Sequence, residues 1–242
     1  MKAAGGEPHR LAELPVSATR ANWSAKNRSI AFTGISKAGT SSIWIVDSDG
    51  RNPREQKADA LSNSVFYPSW YPDGEELAVM DGRDLVIKRI DLARNIVTAL
   101  TDHNQLLTGM PSVSPDGKWI AFAGQPNKGQ AYDQTKNYVW LLNLGDGVVR
   151  PLERTPQQGR APTWSPDGTR VAFESNRDNL LGRYAVFVAD RDGRRIQRIT
   201  DFSLNANHPV WSPDGRQLAF SAHAGSFSTG SHIAIVGLPA PR

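Results

Sequence analysis

The stretch Trp164-Ser-Pro-Asp-Gly-Thr-Arg-Val-Ala-Phe173 decides the fold of this chain, because it returns almost unchanged at residues 211–220. Shorter copies begin at Trp70 and Val113, and a degenerate copy begins at Trp23. The five copies start 43 to 51 residues apart. A period of about 40–50 residues with several short strands in each unit is typical of the blades of a β-propeller.

Each unit is interpreted as four strands, A to D. Strand A ends at the tryptophan, and Ser-Pro-Asp-Gly forms a tight turn into strand B because proline presets φ and glycine accepts a positive φ. Strand C alternates, as in residues 185–188, and an Asp-Gly turn leads to the outer strand D. In the degenerate copy Asn27 replaces the turn glycine, and we expect it to adopt the left-handed backbone.

A count of the outer strands predicts how the ring closes. The last unit ends after its strand C near Val236, whereas residues 9–16 precede the first unit and resemble residues 195–200 in their polar and apolar order. We therefore expect the segment at 9–16 to complete blade five beside residues 233–236. The prediction is an all-β, five-bladed propeller with four antiparallel strands per blade. It forms one domain over residues 1–242, with blades starting near residues 20, 67, 110, 161 and 208.

Composition excludes several classes of protein. The formal net charge is +4 and the isoelectric point is about 9.5, but the basic residues are scattered, which argues against nucleic-acid binding. There is no cysteine, so disulfides and thiol chemistry are excluded. The apolar runs are too short for a membrane span, and residues 1–8 contain no apolar signal sequence. We expect a monomer.

The repeated segment resembles the TolB-type, WD-like propeller repeat, as do Ser175-Asn-Arg-Asp178 and the strand ending in Ile199-Thr-Asp201. The resemblance covers nearly the whole chain. It implies a non-catalytic module that binds a protein segment or a small ligand, and a periplasmic or secreted location, with the cytoplasm left open. The family also includes propellers of peptidases and of polysaccharide lyases. TolB itself has six blades, whereas this chain has five units.

The binding face is predicted from the loops. In a propeller the D–A and B–C loops share one face, and the B–C loops here differ in length and content, which is where binding groups are usually carried. Residues just before each strand A should ring the channel mouth on this face. They offer donors for an anion and a ring for stacking, although they are equally compatible with ordinary loops at a wet channel: Arg20, Tyr67, Met110, Arg160 with Ala161, and His208.

Five more residues on the same face complete the predicted binding set. Tyr132 lies in the longest B–C loop, residues 124–137, which is either a lid or a simple insertion. Glu174 and Arg177 follow or end a strand B, and His223 and His232 bound the last B–C loop. The repeated tryptophans are assigned to packing between blades.

No catalytic residue, metal site or cofactor is predicted. The five histidines lack a close ligand spacing, and no nucleophile elbow or phosphate loop occurs. One alternative stays open, because His208, His223 and His232 all belong to blade five. In that alternative the chain is a lyase or hydrolase that acts on a glycan, with a histidine-containing site in the central channel.

Overall fold

The structure confirms a five-bladed β-propeller. It is a computed structural model that describes residues 10–24, 26–179, 181–223 and 230–238, and the described residues form nineteen strands in five antiparallel sheets. Four sheets have four strands, and the fifth has three. No helix in the described ranges is long and apolar enough to cross a membrane.

Within each blade, strands that follow one another in the chain lie side by side. Blade one contains β1 (Ser17–Ser24), β2 (Ser29–Ile35), β3 (Ser41–Asp47) and β4 (Arg54–Gln56). Blade two contains β5 (Val65–Trp70), β6 (Glu76–Asp81), β7 (Val86–Asp91) and β8 (Ile96–Ala99). Blade three contains β9 (Leu106–Val113), β10 (Trp119–Pro126), β11 (Tyr138–Asn143) and β12 (Val149–Pro151). Blade four contains β13 (Arg160–Trp164), β14 (Arg170–Ser175), β15 (Ala185–Asp190) and β16 (Ile196–Arg198), and blade five contains β17 (Asn207–Trp211), β18 (Gln217–Ala222) and β19 (His232–Gly237).

The Ser-Pro-Asp-Gly turn is held by its own side chains. In blade four the Ser165 hydroxyl donates to Asp167 at 2.6 Å, and the same aspartate accepts from the backbone N–H of Thr169 at 3.0 Å. Gly168 takes a φ of +67°, as the turn requires. The prediction for the degenerate turn is wrong in detail: Arg28, with a φ of 55°, adopts the left-handed backbone. Asn27 instead donates its side chain to the Gly74 carbonyl of blade two at 2.7 Å.

The tryptophan that ends strand A joins neighbouring blades, as predicted, in three of its four copies. Trp70, Trp164 and Trp211 are 6 to 8 % exposed. Each indole N–H donates to a strand-A carbonyl of the preceding blade, and the acceptors are Asn22, Ser112 and Thr163 at 3.0 to 3.1 Å. Since a buried indole N–H must find an acceptor, this bond fixes the position of one blade on the next.

The seam between blade five and blade one lacks this packing. Trp23 is 59 % exposed, and no acceptor for its indole N–H lies among the described residues. On the facing side of blade five, Val210 is 60 % exposed and Ile235 is 61 % exposed. Val210 occupies the place in blade five that Thr163 occupies in blade four, so the interblade contact seen at Trp211 is not made at this seam. The prediction that Trp23 packs between blades is wrong.

The prediction that residues 9–16 complete blade five is wrong for the part that the structure describes, residues 10–16. These residues form no strand and lie on blade one, where Val16 contacts Gly34 and the Leu11 carbonyl contacts Gly50. The Leu152 carbonyl contacts Gly193 of blade four in the same way, directly after β12. Residues 10–16 therefore enter blade one as the D–A connection after β12 enters blade four. His9 lies outside the described residues.

Candidate functional site

Five residues in equivalent positions share a left-handed backbone at the channel mouth. Each lies in the irregularity that interrupts the pairing of a strand A with its strand B. A positive φ is uncommon outside glycine and is tolerated where the surrounding structure imposes it. The residues and their φ angles are Arg20 (56°), Tyr67 (55°), Met110 (55°), Ala161 (48°) and His208 (52°).

These residues line one cavity of about 380 Å³, to which strand A of every blade contributes. The backbone is the same in each blade, but the side chains are a guanidinium, a phenol, a thioether, a methyl and an imidazole. Ala161, and not Arg160, is the fourth member of this ring. Four of the five residues directly precede a proline.

Two residues of this ring, Arg20 and Tyr67, are oriented by contacts between blades. The Arg20 guanidinium carbon lies 5.1 Å from the centre of the Tyr67 ring, a distance at which cation–π attraction holds the pair. The backbone N–H of Tyr67 donates to the Thr33 hydroxyl of blade one at 3.1 Å. The left-handed residue of blade two is therefore tied to strand B of the blade before it.

Glu174 makes the corresponding tie between blades four and five. It is fully buried, and one carboxylate oxygen accepts from Nε of Arg160 at 2.5 Å. The other oxygen accepts from the backbone N–H of His208 at 2.5 Å. Glu174 occupies the position in blade four that Thr33 occupies in blade one. The seam between blades four and five therefore has a carboxylate where the seam between blades one and two has a hydroxyl.

The His208 imidazole is adjacent to the same carboxylate, with its Nδ1 3.9 Å from Glu174. Burial lowers the pKa of His208 below its ordinary value; the Glu174 carboxylate opposes this, and the positive charges of Arg20 and Arg160 lower the pKa further. The lowered pKa favours the neutral form of His208 at pH 7. A neutral imidazole in this position can accept or donate one hydrogen bond.

Two tyrosines surround the outer side of Arg160. Its guanidinium carbon lies 4.3 Å from the centre of the Tyr184 ring, which is 7 % exposed. The Tyr132 hydroxyl accepts from Asn137 at 2.8 Å, and Tyr132 lies close enough to Tyr67 and Arg160 for their charges to affect its pKa. Burial raises the pKa of both Tyr132 and Tyr184. Tyr184 was missed from the sequence, which contains no repeated feature that marks it.

Arg177 is separate from the channel mouth. Its guanidinium donates to both oxygens of Glu153, at 2.8 and 2.5 Å, and its side chain is 8 % exposed. It also lies over the rings of Phe173 and Phe187, at 5.1 and 4.8 Å from their centres. These contacts join the end of blade three to blade four, so the structure places Arg177 in a structural ion pair rather than on the rim.

The three histidines of blade five do not form a metal cluster in the part of the chain that the structure describes. His223 donates its backbone N–H to Leu204 at 2.9 Å, and His232 is exposed at the start of β19. Among the described residues, no group of three or more histidine, aspartate or glutamate side chains is arranged to hold a metal ion. Only His208 lies on the cavity wall.

TolB proteins are among the known proteins to which the chain is similar. No protein-family model matches it. It is 28 % identical to the uncharacterized protein Atu1656 of Agrobacterium fabrum over 170 residues, which cover 67 % of this chain and 54 % of that protein. It is 31 % identical to the Tol-Pal system protein TolB of Francisella tularensis over 149 residues, 61 % of this chain and 32 % of that one. The chain thus spans about half of these relatives or less.

Solved structures agree on the fold. The putative TolB from Agrobacterium tumefaciens matches with a TM-score of 0.74 at 20 % identity, over 93 % of this chain and 78 % of that one. TolB from Acinetobacter baumannii matches with a TM-score of 0.71 at 21 % identity, over 88 and 51 %. An oligogalacturonate lyase in complex with manganese matches with a TM-score of 0.62 at 16 % identity, over 84 and 57 %. These likenesses show that the chain has a β-propeller fold similar to that of TolB.

Proposed function

We propose that the chain is a binding module that takes a segment of a partner protein at the channel mouth on the D–A and B–C face. The observation that carries this proposal is the ring of five left-handed residues around one cavity. Its backbone repeats in every blade, whereas its side chains do not repeat. A shared scaffold with varied side chains is how loops on a rigid fold usually provide specificity.

The chemistry of the rim suits an extended peptide. Tyr67 and Met110 offer apolar surface on blades two and three, while Arg20 and His208 offer donors on blades one and five. Arg20 and Tyr67 already contact each other, so less side-chain freedom is lost when a ligand binds. One similar protein is named as a component of the Tol-Pal system, which supports a protein partner and a periplasmic location.

The proposal is tested with peptides selected on the protein from a random phage-displayed library. Fluorescence anisotropy then compares the affinity of a selected peptide for the wild type, Tyr67→Ala and Arg216→Ala. Arg216 is exposed in the A–B turn on the opposite face and is the control. We expect Tyr67→Ala to weaken binding about tenfold or more and Arg216→Ala to leave it unchanged. Equal affinity for all three proteins would contradict a site at the mouth.

A second candidate is a glycan-active lyase or hydrolase. It is favoured by the imidazole of His208, which lies on the cavity wall with its Nδ1 3.9 Å from Glu174 and has a lowered pKa, because a neutral imidazole near pH 7 can act as a general base. The fold is also that of an oligogalacturonate lyase. Ultraviolet absorbance of an unsaturated product from oligogalacturonate, with and without Mn²⁺, tests this candidate. Activity that is lost in His208→Ala would favour it over the binding module.

A further inference from the structure

Arg160 is held in one orientation by two side-chain contacts and by the backbone of a strand. Its Nε donates to the buried Glu174, its guanidinium lies over Tyr184, and its backbone belongs to β13. The side chain is 14 % exposed. Arginine side chains usually lose much conformational freedom on binding, but here most of that freedom has already been removed by folding.

Only one of the three guanidinium nitrogens is used by these contacts. Among the described residues no acceptor bonds to either terminal nitrogen of Arg160, and Glu174 has committed both of its oxygens, one to Arg160 and one to His208. The two terminal N–H groups of a guanidinium form a fork that matches the two oxygens of a carboxylate. A fixed fork with unused donors, on a side chain that is 14 % exposed, is suited to that ligand.

The charges around the fork favour an anion. Glu174 balances Arg160, so the Arg20 guanidinium contributes the remaining positive charge, and its field, like that of Arg160, reaches His208. The nearest acidic group on the neighbouring loop, Asp133, is paired with Lys136 at 3.3 Å. Charge-assisted hydrogen bonds in a partly desolvated site are stronger than those in water.

We propose that the terminal nitrogens of Arg160 bind a carboxylate of the partner segment, with Arg20 and the His208 imidazole contributing to the same subsite. The ligand is an acidic side chain or a free carboxyl terminus, which present the same chemistry. This inference rests on the proposed function, because it names the group by which the segment is recognised at the channel mouth.

Three short peptides separate these possibilities by nuclear magnetic resonance titration. N-acetyl-Ala-Glu-Ala-amide offers a side-chain carboxylate, N-acetyl-Ala-Ala-Ala offers a terminal carboxylate, and N-acetyl-Ala-Gln-Ala-amide offers neither. The reporters are the Arg160 Nε–H and the backbone amides of Ala161 and His208. We expect saturable shifts with at least one carboxylate peptide and at least about tenfold weaker binding of the glutamine peptide.

Arg160→Lys is the variant that tests the fork, because lysine keeps the charge opposite Glu174 but loses the paired donors. We expect Arg160→Lys to lower the affinity for the carboxylate peptide about tenfold. Arg216→Lys, on the opposite face, should leave that affinity unchanged. Equal binding of the glutamate and glutamine peptides, or full affinity in Arg160→Lys, would overturn the proposal. So would a failure of both carboxylate peptides to shift the reporters. In each of these cases, the affinities of the wild type and of Tyr67→Ala for a phage-selected peptide still test the proposed function independently.

Discussion

At the scale of the residue, Glu174 organises the site. Its two oxygens connect Arg160 of blade four to the backbone of His208 in blade five, and it does so from a fully buried position. A buried carboxylate is stable only when it is paired and hydrogen-bonded, and both conditions are met here. The identity of these three residues as site candidates could be predicted from the sequence, but their mutual contacts could not, because they depend on the register of β13 with β14 and on the next blade.

The titration of His208 gives a prediction for pH. Its pKa is lowered mainly by burial, so the neutral imidazole is favoured at pH 7 and protonation requires a lower pH than it does for an ordinary histidine. Glu174 favours the charged form, whereas Arg20, Arg160 and His223 oppose it. A bound carboxylate stabilises the charged imidazole, so we expect the affinity for N-acetyl-Ala-Glu-Ala-amide to rise as the pH falls from 7.5 towards about 5.

The control for this prediction is His208→Gln, which keeps a hydrogen-bonding side chain without a charge in this range. In that variant the affinity should be independent of pH over the same interval. Titrations at several pH values provide the measurement. A wild-type affinity that falls on acidification would show that the imidazole does not act on the ligand in this way.

The tryptophans allow a matched comparison of single residues. Trp211 is 8 % exposed and its indole N–H is bonded to Thr163, whereas Trp23 is 59 % exposed. We expect Trp211→Ala to lower the free energy of unfolding by about 3–5 kcal/mol and Trp23→Ala by about 1 kcal/mol or less. Urea unfolding measures both. A large loss for Trp23→Ala would mean that this residue is packed in solution.

At the scale of the element, the repeated turn and the interrupted strand A explain why the blades are alike. The Ser-Pro-Asp-Gly turn could be predicted because its own side chains form the hydrogen bonds that hold it, as Ser165 and Asp167 do. The left-handed residue lies three or four positions before the end of strand A in every blade. In four blades that residue alone was predicted from the sequence, without its backbone conformation. In blade four, Arg160 was predicted together with Ala161. A shift of one residue along the strand changes the side of the irregularity on which a side chain lies.

Gly50 tests where residues 10–16 lie. It has a φ of +84°, and an added Cβ would collide with the Leu11 carbonyl. Gly147 occupies the corresponding β11–β12 turn with a φ of +72° and has no heavy atom within 4 Å of such a Cβ. In both alanine variants the positive φ lowers the free energy of unfolding by about 1 kcal/mol. We expect the collision in Gly50→Ala to lower it by at least about 1 kcal/mol more.

Thermal or urea unfolding distinguishes the two outcomes. Gly193→Ala is the positive control, since its Cβ would meet the Leu152 carbonyl of the preceding blade. Equal losses for Gly50→Ala and Gly147→Ala would place the N-terminal segment away from blade one. If Gly50→Ala lowers the free energy of unfolding as much as Gly193→Ala does, the contact between Leu11 and Gly50 is supported.

At the scale of the whole molecule, the described residues pack four seams between blades, whereas at the seam of blades five and one Trp23 and Val210 stay exposed among them. The number of blades could be predicted from the spacing of the repeat, but the closure of the ring could not. Alternation shows that each blade has two apolar faces, and it does not show which faces meet. Ile233 and Ile235 form such a face on blade five, and they are 80 and 61 % exposed.

Distances between spin labels measure the open seam. The chain has no cysteine, so labels can be placed at pairs of introduced cysteines without background. Thr169 and Arg216 are exposed, equivalent positions in blades four and five, and Arg28 is their counterpart in blade one. We expect the Arg216–Arg28 pair to be farther apart than the Thr169–Arg216 pair. Equal distances would indicate a closed, evenly spaced ring.

The channel mouth as the binding site is tested most directly by the methyl signal of Met110. The chain has three methionines, and Met110 lies on the cavity wall, whereas Met80 is 8 % exposed in the seam of blades two and three. With methyl-labelled methionine, a selected peptide should shift the Met110 signal in a saturable way and shift the Met80 signal less. A peptide that binds in the anisotropy assay while the Met110 signal stays unchanged would contradict a binding site at the mouth.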